Sequence, residues 1–376
     1  MSDNLASEVK IFSVAQDPIY IGTGGYTIGR VDNTIVRDPT TKIPKIPGSS
    51  LAGTWRYYVA LALQEKIKDK KPKLETIKNQ QDRESFEEKL SKIEWKDGDT
   101  DLKKWHKFYG NKISSYNCAG QDELPNTDFK DFLKTEENEK YSGHCGRCIV
   151  CKGFGFSKRN SSWQGMLFFS DLKILFFPLY TRLGVRWITS PEIYYNASNE
   201  VLIEKPQEGE ILTHHGTEGY LNLGWLNFKV KKNTNNIKIQ QGEELKGYLS
   251  EENIVVVSDN IVSQLINANL EVRTSVSINP LTGAAKEGAL FTYEAIPRGT
   301  IFYGNIRIFD KSAFENFKNG IGELPDLEDL ICSLEDSKHF YETLGIGGLT
   351  TRGFGRMKIF FRKSNNCEVI ENNEQH

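Results

Sequence analysis

Apolar and polar residues alternate from Glu8 to Tyr20, the period-two signature of a half-buried strand. A loop, Gly22 to Arg37, follows. The period then changes: Leu51, Trp55, Tyr58, Val59 and Leu63 share one helical face, which predicts a helix starting at Ser49 or Ser50, both good N-caps. From Lys66 to about Lys104 Lys and Glu dominate, and Leu74, Ile77, Phe86, Leu90 and Ile93 recur at near-helical spacing. This reads as an exposed, charged helical insertion spanning 65–117 with a solvated face. Met166 to Phe177 and Ile188 to Tyr195 read as strands, and Glu204 to Asn236 is mixed. Glu271 to Ile308 predicts two or three strands around the turn Asn279-Pro280-Leu281-Thr282-Gly283. The chain closes with a glycine-rich run, Leu344 to Arg356, a terminal strand from Met357 to Arg362, and a polar tail, 363–376, expected to be disordered.

The most apolar stretch, Leu167 to Leu179, is interrupted by Ser170, Asp171 and Lys173 and reads as a buried strand pair. It falls short of the roughly 18 apolar residues that a membrane span needs, so no membrane partner is expected. With no basic start followed by an apolar run, a cytoplasmic location is the expectation. The net charge of −2 gives a polyanion binder no overall help. Any nucleic-acid surface must gather its cations on one face.

Cysteine placement changes the picture. Cys145-Gly-Arg-Cys148-Ile-Val-Cys151 makes two successive C-x-x-C spacings. Cys118 is one candidate for a fourth ligand and His144 its rival. Clustered cysteines without a secretion signal favour metal over disulfides, and a closed four-ligand zinc site is structural. The second insertion, 118–155, is thus expected to be pinned by zinc.

Gly48-Ser49-Ser50 opens the predicted helix, with Arg56 further along it and Lys45 just before. Backbone N–H groups at such a start form a phosphate seat. Upstream lies a lone loop carboxylate, Asp32. Such an Asp either accepts turn hydrogen bonds, a reading stronger still for Asp38 because Pro39 follows it, or stands beside bound phosphate to do chemistry. Two loops echo each other, Gly22-Thr-Gly-Gly-Tyr-Thr27 and Gly345-Ile-Gly-Gly-Leu-Thr350. The closing run carries Gly347, Gly348, Arg352, Phe354 and Arg356, which combines backbone donors, guanidinium groups and a ring suited to RNA. His214-His215 reads as surface. No Walker lysine motif, H-E-x-x-H or G-x-G-x-x-G helix start is present.

The run Val31-Asp32-Asn33, Arg37-Asp38-Pro39 and Pro44-Lys45-Ile46-Pro47-Gly48-Ser49-Ser50-Leu51 resembles the signature of RAMP-superfamily proteins. It is most similar to the repeated backbone subunit of type III CRISPR effector complexes, of the Csm and Cmr kinds. The C-x-x-C-x-x-C before Phe154-Gly155, Leu175 to Pro178, Trp187 to Pro191, Pro297 to Phe302 and the Gly347 to Arg356 loop agree with it. The cysteines lean towards the Csm kind and the Trp187 region towards the Cmr kind. Many relatives have Lys where this chain has Ala52.

The resemblance implies an α+β fold across 1–376: a ferredoxin-like (RRM-like) core with the helical and zinc-binding insertions and a protruding thumb hairpin at 270–298. Copies would stack along a guide (CRISPR) RNA with other type III effector subunits. The hairpin would wedge between bases, with Leu281 and Phe291 as candidate wedges. Asp32 would cut the bound target RNA with Mg²⁺ or another divalent ion. Lys45, Gly48, Ser49, Ser50, Arg56, Arg273, Gly347, Gly348, Arg352 and Arg356 would contact RNA. Cys118, Cys145, Cys148 and Cys151 would hold structural Zn²⁺. The alternatives are a non-catalytic structural subunit of such a complex and a stand-alone zinc-stabilised RNA-binding module.

Overall fold

The computed structural model describes residues 5–25, 31–67, 103–106, 118–119, 144, 146–158, 161–200, 204–214, 219–232, 243–317 and 322–362. Cys145, His215, most of the expected 65–117 insertion and the 363–376 tail lie outside them. The strands are β1 (Ala6–Ala15), β2 (Lys45–Ile46), β3 (Phe156–Lys158), β4 (Ser161–Trp163), β5 (Leu167–Phe169), β6 (Leu172–Thr181) and β7 (Gly184–Thr189). They continue as β8 (Glu210–Thr213), β9 (Gly219–Leu223), β10 (Leu226–Lys232), β11 (Ile254–Val256), β12 (Glu271–Ile278), β13 (Ala285–Ala295), β14 (Ile301–Phe309) and β15 (Met357–Phe361). The main helices are α1 (Gly48–Ile67), α2 (Ile149–Phe154), α3 (Pro191–Ser198), α4 (Asp259–Ala268) and α5 (Leu327–Ser337).

One large sheet runs in the order β15-β1-β14-β6-β7-β11-β8-β10-β9. Each neighbouring pair among its first four strands is antiparallel. In chain order this half reads β1, α1, β6, β14, α5, β15, so two split strand–helix–strand units interleave. Alternation along each strand loads both faces of the sheet. Ile11, Ile174, Phe302 and Ile359 enter one core, shared with Trp55 of α1 and Leu334 of α5. Their neighbours Phe12, Leu175, Ile301 and Phe360 enter a second, with Tyr194 of α3. Trp55, fully buried, donates from Nε1 to Leu334 O at 3.2 Å and Ser337 Oγ at 3.1 Å, which fixes α1 against α5.

One sequence expectation needs correction. Ile188 to Tyr195 is not one strand, because β7 stops at Thr189 and α3 begins at Pro191. Ser190 caps that helix by accepting from Ile193 N, and proline at the first position suits a helix start. The stretch Leu167 to Leu179 does form two strands, but they pair with a third strand and not with each other. β5 and β6 both pair with β14, successively along its length. The mixed region resolves into β8, β9 and β10, and 271–308 into β12, β13 and β14.

A short helical turn, Lys104–His106, packs on α5. Trp105 Nε1 donates to Asp336 Oδ2 at 2.8 Å, and His106 Nδ1 accepts from Lys103 N at 2.9 Å. Burial lowers the His106 pKa from 6.5 to about 4. Unfolded chains therefore bind more protons here than folded ones, and stability falls as pH drops from about 6.5 to 4. The contribution is at most about 3 kcal/mol. Thermal melts between pH 7 and 4.5 should show a slope that His106→Gln flattens; an unchanged slope contradicts the assignment.

Candidate functional site

β12 and β13 form a two-stranded ribbon separate from the large sheet. Bridges Ile19↔Ile296 and Asn33↔Tyr293 dock its root on the loop segments of the body. Apolar side chains face solvent along it: Val276, Ile278, Leu290 and, at the tip, Leu281 with 94 % exposure. Asn279 Oδ1 accepts from Leu281 N at 3.0 Å and Asn279 O from Gly283 N at 2.9 Å, so the tip is a defined turn. A bare apolar ribbon of this kind is a surface built to meet a partner. Phe291, named above as a wedge, is 37 % exposed and lies across from Ser275. Leu290, which sequence reasoning overlooked, is 62 % exposed and pairs with Val276.

Asp32 lies at the ribbon root. Its Oδ2 accepts from Thr292 N and Thr292 Oγ1, each at 2.8 Å, and its own N–H donates to Thr292 Oγ1 at 2.9 Å. The Thr292 amide, then its hydroxyl, hold the carboxyl below its ordinary range, so it is ionised at neutral pH. No hydrogen bond from another described residue reaches Oδ1. Behind it, Arg37 Nη2 meets the nearly buried Glu294 at 2.7 Å while Arg37 Nε reaches Asn267 of α4 at 2.8 Å. Asp38 behaves differently: its Oδ1 caps a turn by accepting from Thr40 N and Thr41 N.

The other side of the root is the glycine-rich run. Gly348 N donates to Tyr20 O at 2.9 Å, and Tyr20 meets Tyr293 edge-on with centroids 5.5 Å apart. Gly347 has φ of +82°, and a Cβ there would fall 2.3 Å from Tyr20 O, so only glycine fits. The closing glycine run therefore packs on Tyr20, just before the Gly22 loop. Arg273, opposite Tyr293 in the ribbon, lies 5.0 Å from the Phe354 ring centroid and pairs with Glu271 at 2.6 Å. Asp32, Arg273, Gly347 and Gly348 thus surround one hairpin root. Arg352 is exposed and has no side-chain partner among the described residues.

The helix start departs from the expected phosphate seat. α1 begins at Gly48 rather than at a Ser49 or Ser50 cap. The Gly48 amide donates to Asp171 Oδ1 at 2.8 Å, and Lys45 Nζ meets Asp171 Oδ2 at 2.6 Å. An internal carboxylate therefore answers both the helix dipole and the lysine. That hydrogen bond also pushes the Lys45 pKa up. Gly48 is required because a Cβ would sit 2.4 Å from Phe169 O. Ser49 stays exposed and Ser50 half-buried. Arg56 turns inward: Nε donates to Cys118 O at 2.9 Å and Nη2 lies 3.0 Å from His144 Nδ1. Arg356 forks onto Asp17 at 2.5 and 3.0 Å.

Cys118, Cys148 and Cys151 are buried, and their Sγ atoms lie within 4.8 Å of one another. Thiolates around a tetrahedral ion with 2.3 Å bonds stand about 3.8 Å apart, so the set fits zinc. His144 is outside this sulfur group, and its Nδ1 faces Arg56.

A family model described as the RAMP superfamily matches residues 15–358. The chain belongs to the RAMP superfamily. The CRISPR system Cmr endoribonuclease Cmr4 of Pyrococcus furiosus is 24 % identical over 231 residues, 54 % of this chain and 71 % of the relative. The CRISPR system Cms endoribonuclease Csm3 of Streptococcus thermophilus is 46 % identical over 43 residues, 11 % of this chain and 20 % of the relative. A cryo-EM structure of the type III-B Cmr-beta bound to cognate target RNA matches at a TM-score of 0.53 and 14 % identity, over 94 % of this chain and 97 % of that one. That likeness is one of fold. In this RAMP chain no helix among the described residues is long and apolar enough to cross a membrane. Thr292, Glu294 and Asp171 are the site residues that sequence reasoning missed. None carries a local motif, and each acts through a partner more than 100 positions away.

Proposed function

We infer that this chain is a guide-RNA-binding backbone subunit of a type III CRISPR effector and that it cuts the bound target RNA at Asp32. The observation that carries the reading is an ionised loop carboxylate anchored through one oxygen to the root of an exposed apolar hairpin. Relatives named Cmr and Csm endoribonucleases support the activity, and the Cmr-beta likeness supports the assembly. The interleaved β15-β1-β14-β6 half is read as a ferredoxin-like core, with 270–298 as its thumb and 1–376 as one RAMP domain carrying the 65–117 and 118–155 insertions. The working place of such a complex is the cytoplasm.

The chemistry follows from the residues. A thumb that parts the guide–target duplex leaves a target nucleotide splayed beside the root, which gives its 2′-OH in-line access to the next phosphate. Mg²⁺ or another divalent ion, bound through Asp32, would stabilise the charge developing on that phosphate. Asp32 would hold that ion. Gly347, Gly348 and Arg352 offer backbone donors and a guanidinium for the strand, and Arg273 flanks them. Ser49 and Ser50 remain available on α1, whereas Lys45, Arg56 and Arg356 must exchange an internal partner to reach RNA. Cys118, Cys145, Cys148 and Cys151 would hold a structural zinc ion.

Expressed with its neighbouring subunits and a guide transcript, the chain should purify in multiple copies on a discrete guide RNA. The complex should cut complementary RNA at regular intervals. A monomer free of RNA would count against the filament and favour a stand-alone RNA-binding module.

A further inference from the structure

We propose that Thr292 is the positioning residue of the cleavage site, holding one oxygen of Asp32 so that the other is presented singly at the hairpin root. The proposal rests on the reading of Asp32 as the cleaving carboxylate. A threonine hydroxyl has one proton and two lone pairs. Here the Asp32 amide donates to Oγ1 at 2.9 Å, and Oγ1 lies 2.8 Å from the acceptor Oδ2, so the direction of its proton follows from its partners. The Thr292 amide donates to the same Oδ2 at 2.8 Å. Oδ2 is thereby held by two donors of Thr292, while no hydrogen bond from another described residue reaches Oδ1. Such a carboxylate cannot chelate an ion through both oxygens without breaking two hydrogen bonds. It offers one oxygen on a fixed bearing, which suits a divalent ion otherwise surrounded by water and phosphate.

The platform beneath Thr292 is itself fixed. Asn33 N donates to Thr292 O and Glu294 N to Asn33 O, both at 3.0 Å. Glu294 is clamped by Arg37 at 2.7 Å. Leu290 precedes Thr292 by two residues and shares its ribbon face. The group that sets the carboxylate and an apolar side chain 62 % exposed therefore ride on one strand. Thr292 registers the cutting carboxylate to the hairpin.

The test uses the assembled guide complex. Thr292→Val keeps the shape and removes the hydroxyl; Thr292→Ser keeps the hydroxyl. Val should slow single-turnover target cleavage about 10- to 100-fold with guide retention unchanged. It should also move the acid limb of the pH–rate profile upward, because the ionised carboxylate loses a donor. Ser should restore most of the rate and the original limb. Thr292→Ala must reproduce the Val pattern, which covers a Val variant that fails to assemble. Asp32→Asn in the same preparation separates the two failures. If Asn cuts normally, the carboxylate reading falls and this proposal with it. If Asn is inactive while Val and Ala cut at the wild-type rate with an unmoved limb, the positioning role alone is overturned.

Discussion

Asp32→Ala should lower target-RNA cleavage about 100-fold or more while leaving the guide RNA bound and the complex assembled. The size follows from what the side chain contributes. It is a full negative charge with one oxygen uncommitted among the described residues, at the place where the hairpin leaves the body. Losing it removes the ligand for a charge-stabilising cation. Asp32 also makes its structural bonds through Thr292, so Ala could act by loosening the loop. Asp32→Asn distinguishes these effects, because its carbonyl oxygen still accepts from Thr292 while the charge is gone. Equal loss in Asn and Ala places the effect on charge. Wild-type cleavage by either variant, measured as product per turnover on a labelled target, removes Asp32 from the chemistry and leaves a structural subunit. The Thr292 amide and hydroxyl hold the carboxyl below its ordinary range, so its protonation should not limit the rate at neutral pH.

Period and turn chemistry made much of the scaffold readable. α1, the hairpin turn at Asn279 to Gly283 and the terminal β15 lie close to where helical spacing and glycine placed them, while β1 ends at Ala15, short of the Tyr20 to which alternation extended it. α3 was readable too, since Ser190-Pro191-Glu192 is a helix start, but Ile188 and the aromatic Tyr194-Tyr195 resemble a strand when taken alone. The site itself was half legible. Asp32 stands out as a lone carboxylate in a loop, yet its orientation depends on Thr292, 260 positions away, which no local pattern links to it. The same distance problem defeated the phosphate seat. Gly-Ser-Ser before an apolar helix predicts an anion at the amides. The fold does supply one, but it is Asp171, 123 residues downstream, and it takes Lys45 as well. Local sequence identified the electrostatic need, and long-range topology decided what met it.

Cys148→Ser should abolish zinc binding and destabilise the chain. Cys118, Cys148 and Cys151 come from two separate segments, yet their sulfurs converge within 4.8 Å in a buried site. α2, six residues long, is too short to hold its shape alone, so it relies on packing and on whatever joins its cysteines. The site also reaches α1, since Arg56 donates to Cys118 O and meets His144. Zinc at 1,000 times its dissociation constant contributes about 4 kcal/mol of stability by linkage. Spread over a chain of 376 residues, that is about 5 °C of Tm. Elemental analysis should therefore find about one zinc per wild-type chain and almost none in Cys148→Ser, with a Tm lower by about that amount. Cys332→Ser, outside the sulfur group, should keep the metal. A strong chelator should reproduce the Ser variant in the wild-type protein, and restored zinc should reverse it. Metal-free wild-type protein that melts where the loaded protein does would mean that packing alone holds the cysteines together. The RNA-binding consequence follows from Arg56: with the insertion loosened, its guanidinium is released onto the exposed side of α1. Guide retention should then change far less than melting does.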